Sequence, residues 1–172
     1  MKLKLIVASI AVALSGTSFA LTQNLGTLDA SGSSFGASFA RVFGFGSALG
    51  GFTDHYTFTL TDASTASGGA AVSMEWGSLD LDLKAVSLSG GTLASTVTDD
   101  TPANFSFSNL GAGTYTLDVS GILKSVGGPL GYAHYAGSIQ SVASAAPEPA
   151  ALAMMLAGLT AVGLVARRRR NG

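Results

Sequence analysis

Few residues in the sequence have types and spacing suited to catalysis, and the first candidate is a serine between glycines. Gly32-Ser33-Ser34-Phe35-Gly36 matches the G-x-S-x-G pattern in which a hydrolase presents its nucleophilic serine. That chemistry needs a strand, a sharp turn and a helix, with a histidine base held by an acid. No helical period follows the segment, so a flexible Gly/Ser stretch is the favoured interpretation and no catalytic residue is assigned.

Metal chemistry has similarly little support. The chain contains only two histidines, His55 and His134, and no cysteine. Thiol catalysis and thiolate ligands are therefore excluded, and a structural zinc site needs about four ligands. His55 shares a polar strand face with Thr57 and Thr59, which favours a surface position. The sequence predicts neither a metal site nor a cofactor.

Pairs of aspartates offer oxygen atoms that calcium could use. Asp80 with Asp82, and Asp99 with Asp100, are the two pairs. Calcium takes about six to eight oxygen ligands, and neither pair fits a D-x-[DN]-x-[DN]-G loop. Solvated charges that keep strand faces soluble are the favoured interpretation.

Aromatic side chains suggest a third kind of site. Trp76, Tyr132 and Tyr135 could form a platform on which sugar rings stack. Aromatic residues of β-sandwiches are more often core or strand-pair residues. A polysaccharide- or surface-binding module is therefore kept as the alternative function.

The body that would position these residues spans 21–146, a size typical of one domain. Its three cationic side chains against nine acidic ones give a net charge of −6, whereas the whole chain carries −1. An acidic body without a basic stripe argues against binding nucleic acid.

Short alternating runs predict an all-β body, a single antiparallel β-sandwich of Ig-like or jelly-roll-like type. Tyr56–Thr61 places aromatic residues and leucine on one face and threonines on the other. Weaker strand candidates are 35–45, 70–76 and 131–142. Leu79–Lys84 also alternates, but the phase shifts after Ala85, which predicts a bulge or crossing there.

Two further runs flank a glycine-rich turn. Phe105–Phe107 precedes the turn at 111–113, and Tyr115, Leu117 and Val119 alternate after it. Consecutive strands joined by a loop of several residues predict a hairpin.

Asp54 breaks the apolar pattern of its strand. Phe52, Asp54, Tyr56 and Phe58 share one parity, so strict alternation points the carboxylate into the core. Because unpaired burial is expensive, Asp54 must cap a turn, pair with a cation or bind a metal. A turn or strand-entry role is favoured, since Gly50-Gly51 precede it.

The N-terminus has the pattern of a secretory signal peptide. Lys2 and Lys4 precede the apolar run 5–14, and Ser18-Phe19-Ala20 resembles an A-x-A cleavage site. Residues 1–20 are therefore predicted to be removed by signal peptidase between Ala20 and Leu21.

The C-terminus combines three patterns in order. Pro147-Glu148-Pro149 is followed by the uncharged segment 150–166 and then by Arg167, Arg168, Arg169 and Arg170. Seventeen helical residues span about 25 Å, just enough for a bilayer core. The arginines should stay cytoplasmic, which places the body on the opposite side of the membrane. The uncut alternative is a simple tail anchor.

This arrangement resembles the PEP-CTERM sorting signal of bacterial exosortase substrates, with domains at 1–20, 21–146 and 147–172. The resemblance implies an inner-membrane anchor until an exosortase-type enzyme cuts at or near Pro147-Glu148-Pro149 in a Gram-negative host. It further implies a non-enzymatic surface or extracellular-matrix protein, associated with exopolysaccharide or biofilm.

A second resemblance lies within the body. Phe52-Thr53-Asp54-His55-Tyr56-Thr57-Phe58 is similar to the signature of the FxDxF group of PEP-CTERM proteins, with Tyr56 in place of the second Phe. The segment Tyr135–Ile139 also fits that group's closing strand. Since the group has no assigned reaction, the resemblance implies export and not catalysis.

Overall fold

A computed structural model describes residues 12–14, 20–29, 36–44, 46–128, 130–143, 154–157 and 159–160. Ten strands and one 3₁₀ turn occupy this part of the chain. Their bounds are β1 Val12–Leu14, β2 Thr22–Leu28, β3 Gly36–Phe43, β4 Gly50–Leu60, β5 Ser64–Gly77, β6 Leu79–Gly90, β7 Val97–Asp99, the 3₁₀ turn Pro102–Asn104, β8 Phe105–Leu110, β9 Gly113–Ser125 and β10 Gly131–Ala143.

The strands form two five-stranded sheets. Sheet A has the order β1-β3-β10-β5-β8, and sheet B has the order β2-β4-β9-β6-β7. The all-β sandwich is therefore confirmed. The expectation of a purely antiparallel sandwich is wrong in detail, because the edge strands β1 and β2 pair in parallel with β3 and β4.

The alternating sequence of the central strands explains the core. In β9, Tyr115, Leu117, Val119 and Leu123 are buried. The residues between them are partly exposed, except Gly121, which is buried. Since successive side chains of a strand point to opposite faces, this pattern supplies one wall of the core. Rings from the two sheets meet there, for example Phe39 and Tyr56, whose centroids lie 4.5 Å apart.

The predicted irregularity in β6 is confirmed as a β-bulge. The register with β9 shifts between Leu83 and Ala85, and the intervening Lys84 is exposed. Leu81 before the shift and Val86 after it are both buried, at 4% and 0% exposure. One extra residue thus returns the apolar side chains to the core after the change of phase.

The predicted hairpin between Phe105–Phe107 and the strand after the glycine turn is wrong. β8 belongs to sheet A and β9 to sheet B, so the link at Gly111 crosses from one sheet to the other. The hydroxyl of Tyr115 donates to the Gly111 carbonyl oxygen at 2.8 Å and holds this crossing in place. Alternation could not reveal the difference, because both strands bury alternate residues in the same core.

The two terminal predictions fall mostly outside the described residues. Of the predicted signal peptide, the structure describes β1 and Ala20, and of the predicted membrane helix it describes the helical residues 154–157 and 159–160, which are exposed. The described part of the chain holds no helix that is long and apolar enough for a membrane crossing. Pro147-Glu148-Pro149 and Arg167–Arg170 lie outside the described residues.

Candidate functional site

The most concentrated group of polar side chains lies inside the sandwich. Asp54 of β4 and Arg41 of β3 are 0% and 1% exposed, and the Arg41 Nη1 atom contacts the Asp54 Oδ1 atom. The turn or strand-entry role predicted for Asp54 is therefore wrong. The alternative of pairing with a cation is what the structure shows, because Asp54 lies within β4 and faces inward.

Two tyrosines complete this buried polar cluster, which consists of Arg41, Asp54, Tyr56 and Tyr135. The Tyr135 hydroxyl donates to Asp54 Oδ2, and the hydroxyl oxygens of Tyr56 and Tyr135 lie 2.8 Å apart. A hydroxyl has one proton, so Tyr56 must donate to Tyr135. Arg41 and Tyr135 are direct neighbours in the β3–β10 register. The cluster therefore ties sheet A to sheet B through a chain of hydrogen bonds.

Burial shapes the electrostatics of the cluster. It raises the pKa of Tyr56 and of Tyr135 above the usual phenol value. For Tyr135, the neighbouring Tyr56 and the negative charge of Asp54 raise the pKa further. Both hydroxyls therefore stay protonated and can act as donors over the physiological range.

Aromatic rings enclose the cation of the cluster. The Arg41 guanidinium carbon lies 4.6 Å from the ring centroid of Phe43 and 5.6 Å from that of Phe52. Phe52 also stacks on Tyr135, with 6.0 Å between centroids. The predicted motif residues Phe52, Asp54, Tyr56 and Phe58 thus face the core together, and the motif acts as a folding element at this point of the sandwich.

Sequence reasoning missed Arg41, although a signal was present. In Phe39-Ala40-Arg41-Val42-Phe43 the arginine has the parity of two buried phenylalanines. An inward cation on one strand and an inward Asp54 on another would have predicted the pair.

The two histidines lie on opposite outer faces of the molecule. His55 of sheet B pairs with Asp118, with 2.6 Å between Nδ1 and Oδ1, and His134 of sheet A contacts the Ser73 hydroxyl. The surface position predicted for His55 is confirmed, since its side chain is 38% exposed. Because the sandwich separates them, the histidines cannot serve one site.

One aspartate of each predicted pair is engaged by the chain itself. Asp82 lies 2.5 Å from Lys84 Nζ and 3.7 Å from Lys124 Nζ, and hydrogen bonding to Lys84 lowers its pKa. Asp99 accepts from Thr101, which lowers its pKa, and so closes the turn after β7. Within the described residues, no group of three or more His, Cys, Asp or Glu side chains is placed to hold a metal.

The predicted aromatic platform is only partly present. Tyr135 is fully buried and is not available to a ligand, which corrects the three-residue prediction. Trp76 is 67% exposed and lies directly opposite the partly buried Tyr132 in the β5–β10 register. Met74, 57% exposed, lies opposite His134 two pairs further along, on the same face. Together Met74, Trp76 and Tyr132 form an exposed strip on the outer face of sheet A.

The G-x-S-x-G segment gives no support to a nucleophile elbow. Residues 32–35 lie outside the described residues, and Gly36 opens β3, a strand where the elbow needs a helix.

Comparison with known folds finds weak similarity to periplasmic inhibitors of g-type lysozyme. PliG of Aeromonas hydrophila is 12% identical, with a TM-score of 0.35, over 69% of this chain and 98% of that one. PliG of Salmonella Typhimurium is 13% identical, with a TM-score of 0.36, over 71% and 99%. A PliG mutant from Escherichia coli is 13% identical, with a TM-score of 0.34, over 71% and 99%. Similarity at this level carries no functional conclusion.

Among curated proteins, no sequence matches this chain. Residues 145–170 match the PEP-CTERM protein-sorting motif. The matched residues contain the Pro-Glu-Pro segment, the uncharged segment and the arginines, all in the order that the sequence predicts. The chain therefore carries a β-sandwich body followed by the sorting motif of PEP-CTERM proteins, which indicates an exported protein that an exosortase processes.

Proposed function

We propose that this protein is an exported, non-enzymatic component of the cell surface or extracellular matrix that an exosortase-type enzyme processes. The observation that carries the proposal is the sorting motif at 145–170. It begins two positions after β10 ends at Ala143. A cut at or near Pro147-Glu148-Pro149 therefore leaves all ten described strands on the body side of the cut.

The N-terminal cut would also spare most of the fold. Signal peptidase acting between Ala20 and Leu21 removes β1 but leaves β2, which begins at Thr22. Sheet B is then complete. Sheet A keeps β3, β10, β5 and β8. Both processing sites thus lie outside the strands that enclose the core.

The polar side chains of the body support a non-enzymatic role. The carboxylate of Asp54 is buried and receives donors on both oxygens, so its acceptor atoms are already engaged by the chain itself. His55 and His134 face away from each other, and each is engaged by a neighbour on its own sheet.

The test is the intact mass of the protein recovered from the envelope and the medium of a host with its exosortase present or deleted. The wild-type chain should start at Leu21 and end near Pro147, and should appear in the medium or on the surface only when the exosortase is present. Glu148→Gln, or deletion of Arg167–Arg170, should leave uncut protein in the membrane. Asp100→Asn, an exposed change in the body, is the matched control and should be processed normally. Normal processing of both tail variants, or of the wild-type protein without the exosortase, would contradict the proposal.

The exposed strip of Met74, Trp76 and Tyr132 favours a second candidate function, a polysaccharide-binding adhesin. An exposed indole beside a partly exposed phenol on a sheet face can stack on sugar rings, since each ring has one apolar face open to solvent. Retention on insoluble polysaccharides should fall at least about tenfold in Trp76→Ala, roughly 1.4 kcal/mol. Val97→Ala, an exposed apolar residue on sheet B, is the control. Equal retention of both variants would remove this candidate.

A further inference from the structure

The main chain of Leu21 is held at both of its polar atoms by consecutive residues of β4. Its N–H donates to Asp54 Oδ1 at 2.9 Å, and its carbonyl oxygen accepts from the His55 N–H at 2.7 Å. Its side chain also packs against the core. No other part of the predicted cleavage region has this arrangement among the residues that the structure describes. The first residue of the predicted mature chain is therefore held by two main-chain hydrogen bonds and by the packing of its side chain.

Cleavage changes the chemistry of the atom that Asp54 holds. Hydrolysis of the Ala20–Leu21 peptide bond consumes one water, leaves a carboxylate on Ala20 and converts the Leu21 amide nitrogen into an α-ammonium group. An amide offers one proton and no charge, whereas the ammonium offers three protons and a full positive charge. Hydrogen bonds between charged partners are roughly twice as strong as neutral ones.

We propose that Asp54 is the internal binding site for the α-ammonium group of Leu21, so that removal of the signal peptide creates a new ion pair and locks the start of β2. This inference rests on the proposed cleavage between Ala20 and Leu21. Asp54 then lies between two cations, the new ammonium and the guanidinium of Arg41, while Tyr135 donates to its other oxygen.

The site can accept the charge because it is only partly closed. Leu21 is partly exposed, and the exposed Ala20 before it lines a cleft together with Phe52 and Thr53. One proton of the ammonium points to Asp54, and the others can reach water. The ammonium therefore escapes the full desolvation cost that a deeply buried cation bears.

The new pair has a defined structural effect. β2 is an edge strand of sheet B and, among the strands that the structure describes, pairs only with β4, in parallel, starting at Thr22 opposite His55. An ammonium anchored one residue earlier fixes the register of β2 at its first pair. It also withdraws the N-terminus from aminopeptidases. The anchor exists only after export, because the uncut chain has no charge at Leu21.

The experiment measures how fast an amine-selective reagent acylates the α-amine of the protein after export from the full-length gene, with peptide mass spectrometry as the readout. Lys84 and Lys124, which are 52% and 50% exposed, are internal references in the same sample. In the folded protein the α-amine should react at least about tenfold more slowly, relative to the lysines, than in the unfolded protein, equivalent to about 1.4 kcal/mol of preference for the bound, charged form.

Asp54→Asn should abolish this protection, whereas Asp118→Asn, which removes a carboxylate from the outer face, should retain it. If Asp54→Asn does not fold, the acylation rate of the wild-type α-amine in the folded protein, compared with its rate in the unfolded protein, still shows whether the α-amine is protected. A chain that starts at Leu21 but shows no protection overturns the anchor and leaves the export proposal intact. A recovered chain that starts at another residue overturns both the anchor and the predicted cleavage site.

Discussion

Arg41 and Asp54 meet in the interior of the sandwich, one from each sheet, and their contact is the charged centre of the molecule. Each is 1% exposed or less. Removing the charge of one member of such a buried pair is far more costly than breaking an exposed pair, because charges in the interior are poorly solvated. The stability of the fold should therefore depend on this contact more than on any pair at the surface.

Asp54→Asn tests that dependence. The amide is nearly isosteric but uncharged, so the buried Arg41 guanidinium loses the negative charge at this contact. The free energy of unfolding in urea should fall by about 3–5 kcal/mol. Asp118→Asn breaks the partly exposed pair with His55 and should cost about 1 kcal/mol or less. Similar losses in the two variants would contradict a central role for the buried pair.

The order of donors in the cluster predicts a ranking of two tyrosine variants. Tyr135→Phe removes the donor to Asp54 and the acceptor of Tyr56, whereas Tyr56→Phe removes only the donor to Tyr135. Loss of a hydrogen bond to a charged group costs about 1.5–3 kcal/mol, and loss of a neutral one about 0.5–1.5 kcal/mol. Tyr135→Phe should therefore be the less stable variant in urea unfolding. The reverse ranking would show that the hydrogen bonds run differently.

Stability should fall steeply at alkaline pH because burial raises the pKa of Tyr56 and Tyr135. In the unfolded chain these phenols lose their protons near pH 10, while the folded state keeps them. The unfolded state then binds fewer protons, so stability declines as pH rises above 10, by about 1.4 kcal/mol per pH unit for each group. Below pH 10 the contribution is fully present.

Urea unfolding between pH 9 and 11.5 measures this slope. Tyr56→Phe leaves Tyr135 as the one remaining phenol. The part of the decline in unfolding free energy with pH that the two phenols cause should therefore fall by about half. The variant also serves as the correction for lysines and other groups that titrate in both proteins. An unchanged slope in Tyr56→Phe would mean that Tyr56 does not stay protonated in the folded state.

Gly121 of β9 lies opposite Phe52 of β4, and the Phe52 ring occupies the space that a side chain at position 121 would need. A Cβ atom at Gly121 would lie 2.7 Å from Phe52 Cζ and 2.8 Å from the Asp82 carbonyl oxygen. Gly121→Ala should therefore displace the Phe52 ring and cost about 1–3 kcal/mol in urea unfolding. At Gly51 the nearest atom to an added Cβ lies 4.0 Å away, so Gly51→Ala should change stability by about 0.5 kcal/mol or less. A neutral Gly121→Ala would disprove the close packing.

The sequence predicts those features that depend on local alternation. The face of β4, the irregularity near Ala85 and the all-β class each follow from the period of apolar residues along one strand. The prediction of a hairpin after Leu110 is wrong because the packing of the whole core decides which strands pair. A two-residue link such as the one at Gly111 can join two strands of one sheet or connect one sheet to the other. The role of Asp54 fails for the same reason, since its partner Arg41 lies on another strand and in another sheet.

The order of strands in sheet A also constrains when the protein can fold. β10, the last strand, lies at the centre of the sheet between β3 and β5, and of all the described strand pairs only β6–β7 joins consecutive strands. Contacts between distant segments slow folding, and here the central strand is synthesised last. A chain that emerges from its N-terminus cannot close this sheet until Ala143 has arrived. The topology thus leaves sheet A without its central strand until little but the sorting motif remains to follow.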